Sequence, residues 1–217
     1  MTKRIFISKA DHEVTAIRAE LAKAKIELVS ESLISFEAEK FEIENEVDVI
    51  FFGSKRSVIF YSATNDIGNA KAIACIGGKT SELLKELGYT PNFTGTNSGN
   101  PSEVASKFKS WCGNRNVLFP LSSRSLKSIS RVFPVDQKEE VIVYRTILVE
   151  KEIPECDSYV FTSPSNLEGF LLENALPTSC HVIAWGKSTE KALKDRNIAV
   201  DQTLKNSSIE ELLRLIA

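Results

Sequence analysis

Four short stretches carry the side chains best suited to hold an anion. They are Phe52-Gly53-Ser54-Lys55-Arg56-Ser57-Val58, Ile76-Gly77-Gly78-Lys79-Thr80, Phe161-Thr162-Ser163-Pro164-Ser165-Asn166-Leu167 and Trp185-Gly186-Lys187-Ser188-Thr189. Each follows a β-rich run and precedes a helical pattern. Each is therefore expected at the carboxyl end of a strand, where the free N–H groups of the next helix point outward. Ligands of open α/β sheets gather at that edge. On this reading Ser54, Ser57, Thr80, Ser163, Ser165, Gly186, Ser188 and Thr189 face a shared inter-domain cleft and bind carboxylates. The plainer reading of any one of these hydroxyls is an N-cap, worth about 1 kcal/mol to its helix. Lys79 and Lys187 add charge nearby and read as solvated surface lysines.

The four stretches form two pairs. Ser163 falls 109 positions after Ser54, and Gly186 falls 109 positions after Gly77. The helices that follow also match, Leu84-Lys85-Glu86 against Leu193-Lys194-Asp195. Any drift in the intervening loops would have changed one offset, so the chain holds two copies of one α/β unit. Neither glycine turn has GxGxxG or GxxxxGK[ST], which disfavours a dinucleotide or a nucleotide phosphate. The glycine is expected to let the backbone turn tightly and approach a ligand.

For proton transfer the choice is narrow. His12 and His181 are the only histidines, which disfavours a histidine triad or a histidine-based metal site. Tyr144, in Tyr144-Arg145-Thr146, is the best remaining donor if its phenol faces the cleft; otherwise its ring is simply buried with a wet hydroxyl. Trp111 and Trp185 read as packing residues, with Trp185 close enough to the Gly186 turn to touch a ligand. Cys75, Cys112, Cys156 and Cys180 are widely spaced, with no CxxC pair, and read as reduced, mostly buried thiols of a cytosolic protein.

The elements that must position these residues alternate. Strands are expected over Arg4–Ser8, Ile26–Phe36, Val47–Phe52, Lys71–Ile76, Asn116–Leu121, Glu140–Glu150, Asp157–Thr162 and His181–Trp185. Helices are expected over His12–Lys25, Lys55–Thr64, Thr80–Leu87, Pro101–Cys112, Ser125–Val132, Asn166–Asn174, Thr189–Arg196 and Ile209–Ile216. This alternation predicts parallel sheets with covering helices. The N-terminal βα unit has no counterpart just before Asp157, so the copies are expected to nest. Residues 1–36 plus 148–217 would form one α/β domain, and residues 37–147 a second domain inserted in the first. Linker strands are expected near 35–41 and 144–149.

Bulk properties narrow the function. The chain has 217 residues, enough for two domains of roughly 100 residues each. Its formal net charge of −2 offers no general attraction to nucleic acid or anionic lipid, so an anionic ligand needs local donors. No apolar run approaches the ~20 residues of a membrane span, and the first residues lack a signal-peptide core.

Val160-Phe161-Thr162-Ser163-Pro164-Ser165-Asn166 followed by Ile183-Ala184-Trp185-Gly186-Lys187-Ser188-Thr189 resembles the paired motifs of the uroporphyrinogen-III synthase family. So do Tyr144-Arg145-Thr146 and Ala74-Cys75-Ile76-Gly77-Gly78-Lys79-Thr80-Ser81, in order over nearly the whole chain. Lys9-Ala10 departs from a frequent Arg-Pro, and Lys187 stands where proline is common. The resemblance implies two flavodoxin-like α/β lobes joined by a two-stranded linker, with substrate bound between them. It implies a cofactor-free hydro-lyase that closes hydroxymethylbilane, an open-chain tetrapyrrole with eight carboxylates. By the same resemblance Tyr144 assists departure of the hydroxyl, and Thr80, Ser163, Ser188 and Thr189 contact substrate carboxylates. A cytoplasmic monomer is expected, with no nucleic-acid or membrane partner beyond a transient contact with the preceding pathway enzyme. A non-catalytic two-lobed binding protein for a small anionic ligand remains the alternative at this point.

Overall fold

A computed structural model describes residues 3–97, 99–206 and 208–216. In chain order it holds β1 (Arg4–Ile7), α1 (Thr15–Lys23), β2 (Glu27–Ser30), β3 (Ile34–Ala38), β4 (Val49–Phe52), α2 (Lys55–Ser62), β5 (Ala72–Cys75) and α3 (Gly78–Glu86). There follow β6 (Phe93–Thr94), α4 (Pro101–Cys112), β7 (Val117–Ser122), β8 (Lys138–Leu148), β9 (Ser158–Phe161), α5 (Pro164–Glu173), β10 (His181–Ala184), α6 (Lys187–Lys194), β11 (Gln202–Thr203) and α7 (Ile209–Ile216). The chain divides into two compact units, Met1–Ser35 with Ile147–Ala217, and Phe36–Thr146. We call these the outer and the inner unit.

The outer unit carries a five-stranded sheet in the order β11-β10-β9-β1-β2, with parallel pairing throughout. Successive residues of its strands point to opposite faces. Ile5, Ile7, Val160 and Ile183 pack with Ile17, Leu21 and Leu212 of α1 and α7. Phe6, Tyr159, Phe161 and Val182 pack with Leu167, Phe170 and Leu193 of α5 and α6 on the other face. Asn166 Oδ1 accepts a 2.8 Å bond from Leu33 N, fixing the chain where it leaves this sheet. Close by, a Cβ on Gly169 would stand 2.3 Å from the Leu33 carbonyl oxygen, so only glycine lets α5 approach this closely.

The inner unit repeats the plan in a six-stranded sheet, β3-β8-β7-β4-β5-β6. Its β4 reads Val-Ile-Phe-Phe and is wholly buried, as a strand covered on both faces must be. Val49 and Phe51 pack with Val104, Ala105 and Phe108 of α4, whereas Ile50 and Phe52 pack with Val58, Tyr61 and Leu84 of α2 and α3. Pairing is parallel from β8 through β7, β4 and β5 to β6, with β3 antiparallel to β8 at the edge, so the α/β class with parallel sheets holds in both units.

Three local expectations differ. Ser125–Val132 is not an α-helix; it is a turn followed by a single 3-10 turn over Ser130–Val132. Its apolar spacing suits a helix, but Ser125 Oγ accepts from Lys127 N at 3.1 Å and Lys127 takes a left-handed φ of 53°. Local hydroxyl-to-backbone bonds of this kind compete with the helix. The Ile26–Phe36 stretch is broken at Glu31–Leu33, so β2 joins one sheet and β3 the other. The helix expected from His12 begins at Thr15, after a 3-10 turn over Asp11–Glu13. The strands β6 and β11, two residues each, are too short for any periodicity to reveal.

Candidate functional site

The strand ends carry two kinds of turn. After β4 and β9 the N-cap is a serine that occupies its own helix. Ser54 Oγ accepts from Ser57 N, and Ser163 Oγ from Asn166 N, both at 3.1 Å. Ser57 donates its hydroxyl back to the Ser54 carbonyl at 2.8 Å and is buried. Ser165 is half-buried in the first turn of α5.

After β5 and β10 the N-cap is Gly77 or Gly186. Their φ values of 176° and 178° describe extended backbone that any residue adopts, so the tight-turn role expected of the glycine is not needed. What a glycine N-cap does is omit the side chain. Neither α3 nor α6 has a side-chain cap; Thr80 N and Thr189 N donate to the Gly77 and Gly186 carbonyls at 3.1 and 3.0 Å, which leaves the N–H groups of the first two residues of each helix for an external acceptor. Thr80 and Thr189 are the third residues of these helices and are 4% and 1% exposed, while Ser188 is exposed.

In each unit a self-capped turn lies beside an uncapped one, because β4 neighbours β5 and β9 neighbours β10. Ser54, Ser57 and Thr80 therefore share one edge of the inner unit. Ser163, Ser165, Gly186, Ser188 and Thr189 share one edge of the outer unit.

Tyr144 belongs to the inner unit. Leu121 pairs with Ile142 but Ser122 pairs with Tyr144, so Val143 is an extra residue in β8. This bulge lets the consecutive Val143 and Tyr144 join the same core cluster, which a regular strand would forbid. Phe60 stacks on the Tyr144 ring at 5.0 Å and Phe36 meets it edge-on at 5.8 Å. The Arg56 guanidinium covers the far partner, 3.5 Å from the Phe36 centroid. The tyrosine ring is buried, yet its hydroxyl makes no hydrogen bond among the described residues and is not among their sealed polar atoms. A rigid ring with an accessible, uncommitted hydroxyl is suited to donate to a ligand.

Both sheets reverse their strand order once, between β1 and β9 in the outer unit and between β4 and β7 in the inner unit. The outer reversal is closed by hydrogen bonds. Thr162 N donates to Ser8 Oγ at 2.8 Å, Thr162 Oγ1 donates to Ser8 O at 2.6 Å, and the two hydroxyls lie 3.1 Å apart. The inner reversal is open, with a cavity of about 240 Å³ at the ends of β4, β5 and β7. Sequence reasoning singled out neither Ser8 nor this cavity; the serine density of Ser122-Ser123-Arg124-Ser125 after β7 was the available signal.

Among the described residues no group of three or more His, Cys, Asp or Glu could hold a metal, and no helix is long and apolar enough to cross a membrane. All four cysteines are free. Burial pushes the Cys156 thiol up to about 11, and burial likewise raises Cys75, so neither is a thiolate nucleophile at neutral pH.

A family model described as uroporphyrinogen-III synthase HemD matches residues 15–214. The chain belongs to the uroporphyrinogen-III synthase family. A uroporphyrinogen-III synthetase from Helicobacter pylori is similar over 100% of this chain and 98% of its own, with a TM-score of 0.73 and 15% identity. A mutant uroporphyrinogen III synthase from the extremely thermophilic bacterium Thermus thermophilus is similar over 99% and 97%, with a TM-score of 0.64 and 15% identity. At such identity these two establish a shared fold. No curated protein matches the sequence. The family model begins within α1 and ends within α7, so it spans both units and all four turns.

Proposed function

We propose that the chain cyclises hydroxymethylbilane to uroporphyrinogen III in tetrapyrrole biosynthesis, acting as a hydro-lyase. The observation that carries this reading is the family match across both units. Nothing favours the alternative of a non-catalytic binding protein. The substrate loses water from its hydroxymethyl group to give an azafulvene. Attack at the substituted carbon of ring D forms a spiro intermediate, which fragments and recloses with that ring inverted.

The chain's residues take two roles. Tyr144, held by Phe60 and Phe36, donates a proton to the departing hydroxyl, a contribution of typically ~10²–10⁴-fold. The turns at Ser54, Ser57 and Thr80, and at Ser163, Ser165, Gly186, Ser188 and Thr189, bind substrate carboxylates. The uncapped turns at Gly77 and Gly186 serve best through backbone N–H groups, since Thr80 and Thr189 are buried. A flexible, reactive bilane closes unaided to the unrotated isomer, so orientation contributes more than acid strength. We read the enzyme as a cytoplasmic monomer that needs no cofactor and meets the preceding pathway enzyme only transiently.

The test is to supply hydroxymethylbilane and determine which isomer accumulates. Uroporphyrinogen III is expected; accumulation of isomer I alone, as without enzyme, sinks the reading.

A further inference from the structure

The cavity in the inner unit stands where an open α/β sheet is built to receive a ligand. In such sheets the ligand crevice forms outside the carboxyl ends of the strands, at the point where strand order reverses. In this sheet that point lies between β4 and β7, and the cavity is bounded there by Gly53, which follows β4, and Leu121 of β7. The corresponding point of the outer unit is filled by the Ser8–Thr162 hydrogen bonds. The two copies have thus diverged at this place, one closed and one open.

The lining specifies what fits. The accessible floor is apolar, made by Ile76 and Leu121 over the buried rings of Phe51 and Phe119. The rim is the serine-rich turn after β7, with Ser125, Leu126 and Ser128. Leu126 is 81% exposed beside an apolar floor, so a flat ligand seated there would cover it. Ser130, 1% exposed, also lines the cavity, and its hydroxyl has no aligned hydrogen-bond partner, although it acts on the nearby Glu140 carboxylate. At about 240 Å³ the space falls below the ~300–1,000 Å³ of a drug-sized site and suits one substituted ring. Lys127 is committed to Glu140 and to a left-handed backbone, so it shapes the rim and leaves the hydroxyls to meet the ligand.

The same turn is tied to the strand of Tyr144. Ser123 N donates to the Tyr144 carbonyl at 3.0 Å, and Thr146 N donates to Ser123 Oγ at 3.4 Å. The Tyr144 ring packs on the α2 face of the sheet and the cavity opens on the α4 face, so the sheet edge separates them. A ligand reaching both must be extended and jointed, as a chain of linked pyrroles is.

We propose that this cavity binds one carboxylate-bearing pyrrole ring of the linear substrate, with the ring against Ile76, Leu121 and Leu126 and its carboxylates on the Ser125–Ser128 rim. The inference rests on the synthase reading, and the test separates the two. Porphobilinogen, a single pyrrole with one acetate and one propionate, is titrated into the full ¹⁵N-labelled chain. Saturable shifts are expected at the amides of Gly53, Ser125, Leu126 and Ser128. Leu126→Glu, a change at an exposed position, should weaken porphobilinogen binding and raise KM for hydroxymethylbilane about five- to tenfold by like-charge repulsion. Leu126→Lys should leave both at or below the wild-type values. Absence of shifts at the rim overturns the proposal, as does an equal effect of the two Leu126 variants. If wild type makes isomer III while either of those results holds, the cavity assignment alone fails. If wild type makes only isomer I, the synthase reading fails first.

Discussion

The Tyr144 ring takes its orientation from the strand that carries it and from the two phenylalanines beside it. A tyrosine on a regular strand beside the buried Val143 would have pointed away from the core face; the extra residue in β8 turns it back between Phe60 and Phe36. Two ring contacts of this kind are worth about 0.5–1.5 kcal/mol each beyond buried area, enough to hold one rotamer. Tyr144→Phe retains those contacts and removes only the hydroxyl. It should fold normally and lower kcat by at least about 100-fold with little change in KM, read from initial rates of isomer III formation. Near-normal kcat would leave the ring as packing alone. The serines admit a different test. If Ser54 only caps α2, Ser54→Ala should cost about 1 kcal/mol in urea unfolding and Ser54→Gly a few tenths. If it also binds a carboxylate, both variants should raise KM alike.

Among the elements, the segment between β7 and β8 holds no α-helix, only two 3-10 turns. Lys127 and Lys138 both reach Glu140, joining the turn to the start of β8. Burial alone would raise the Glu140 carboxyl, but the Lys127 and Lys138 ammonium groups and the nearby Ser130 hydroxyl outweigh it and hold the group below the ordinary carboxylate range. A group whose folded value is depressed stabilises the fold above its unfolded value, near 4.3, and loses that effect as pH falls through the folded value. Wild type should therefore exceed Glu140→Gln in urea midpoint at pH 7, and the gap should close below about pH 4. This segment is also where sequence reasoning failed. Leu126 and Ile129 have helical spacing, but nothing in a pattern of apolar residues reports that Ser125 will capture the Lys127 amide. The Gly77 and Gly186 turns were legible because a repeated offset survives in sequence. The bulge at Val143 was not, since it adds a residue without changing the apolar look of β8. Nor was the burial of Thr80 and Thr189, because a hydroxyl at a turn looks the same whether it faces ligand or core.

For the whole molecule, each unit has its own two-faced core, and each holds one tryptophan, Trp111 in the inner and Trp185 in the outer. Phe119 is 1% exposed and meets Phe51, Phe108 and Phe133. Phe119→Ala should destabilise the inner unit by about 3–5 kcal/mol. In a Trp185→Phe background, where Trp111 alone reports, the urea midpoint of fluorescence should fall accordingly; an unchanged midpoint would mean the cavity is refilled. A net charge of −2 lends no help in attracting an octa-anion, so on the proposed reading capture at this scale rests on the local N–H and hydroxyl donors at the strand ends.

The nesting of one unit within the other has a consequence for how the molecule comes into being. Domains tend to fold as they are synthesised, from the N-terminus onward. Here β1 and β2 leave the ribosome first, but β9, which lies against β1 at the centre of the outer sheet, is made only after all of Phe36–Thr146. The inner unit can close while Phe6 still lacks the rings of Tyr159, Phe161 and Phe170. The growing chain therefore carries a completed body and an unmet strand at once, and it is that waiting strand which a chaperone would have most reason to cover.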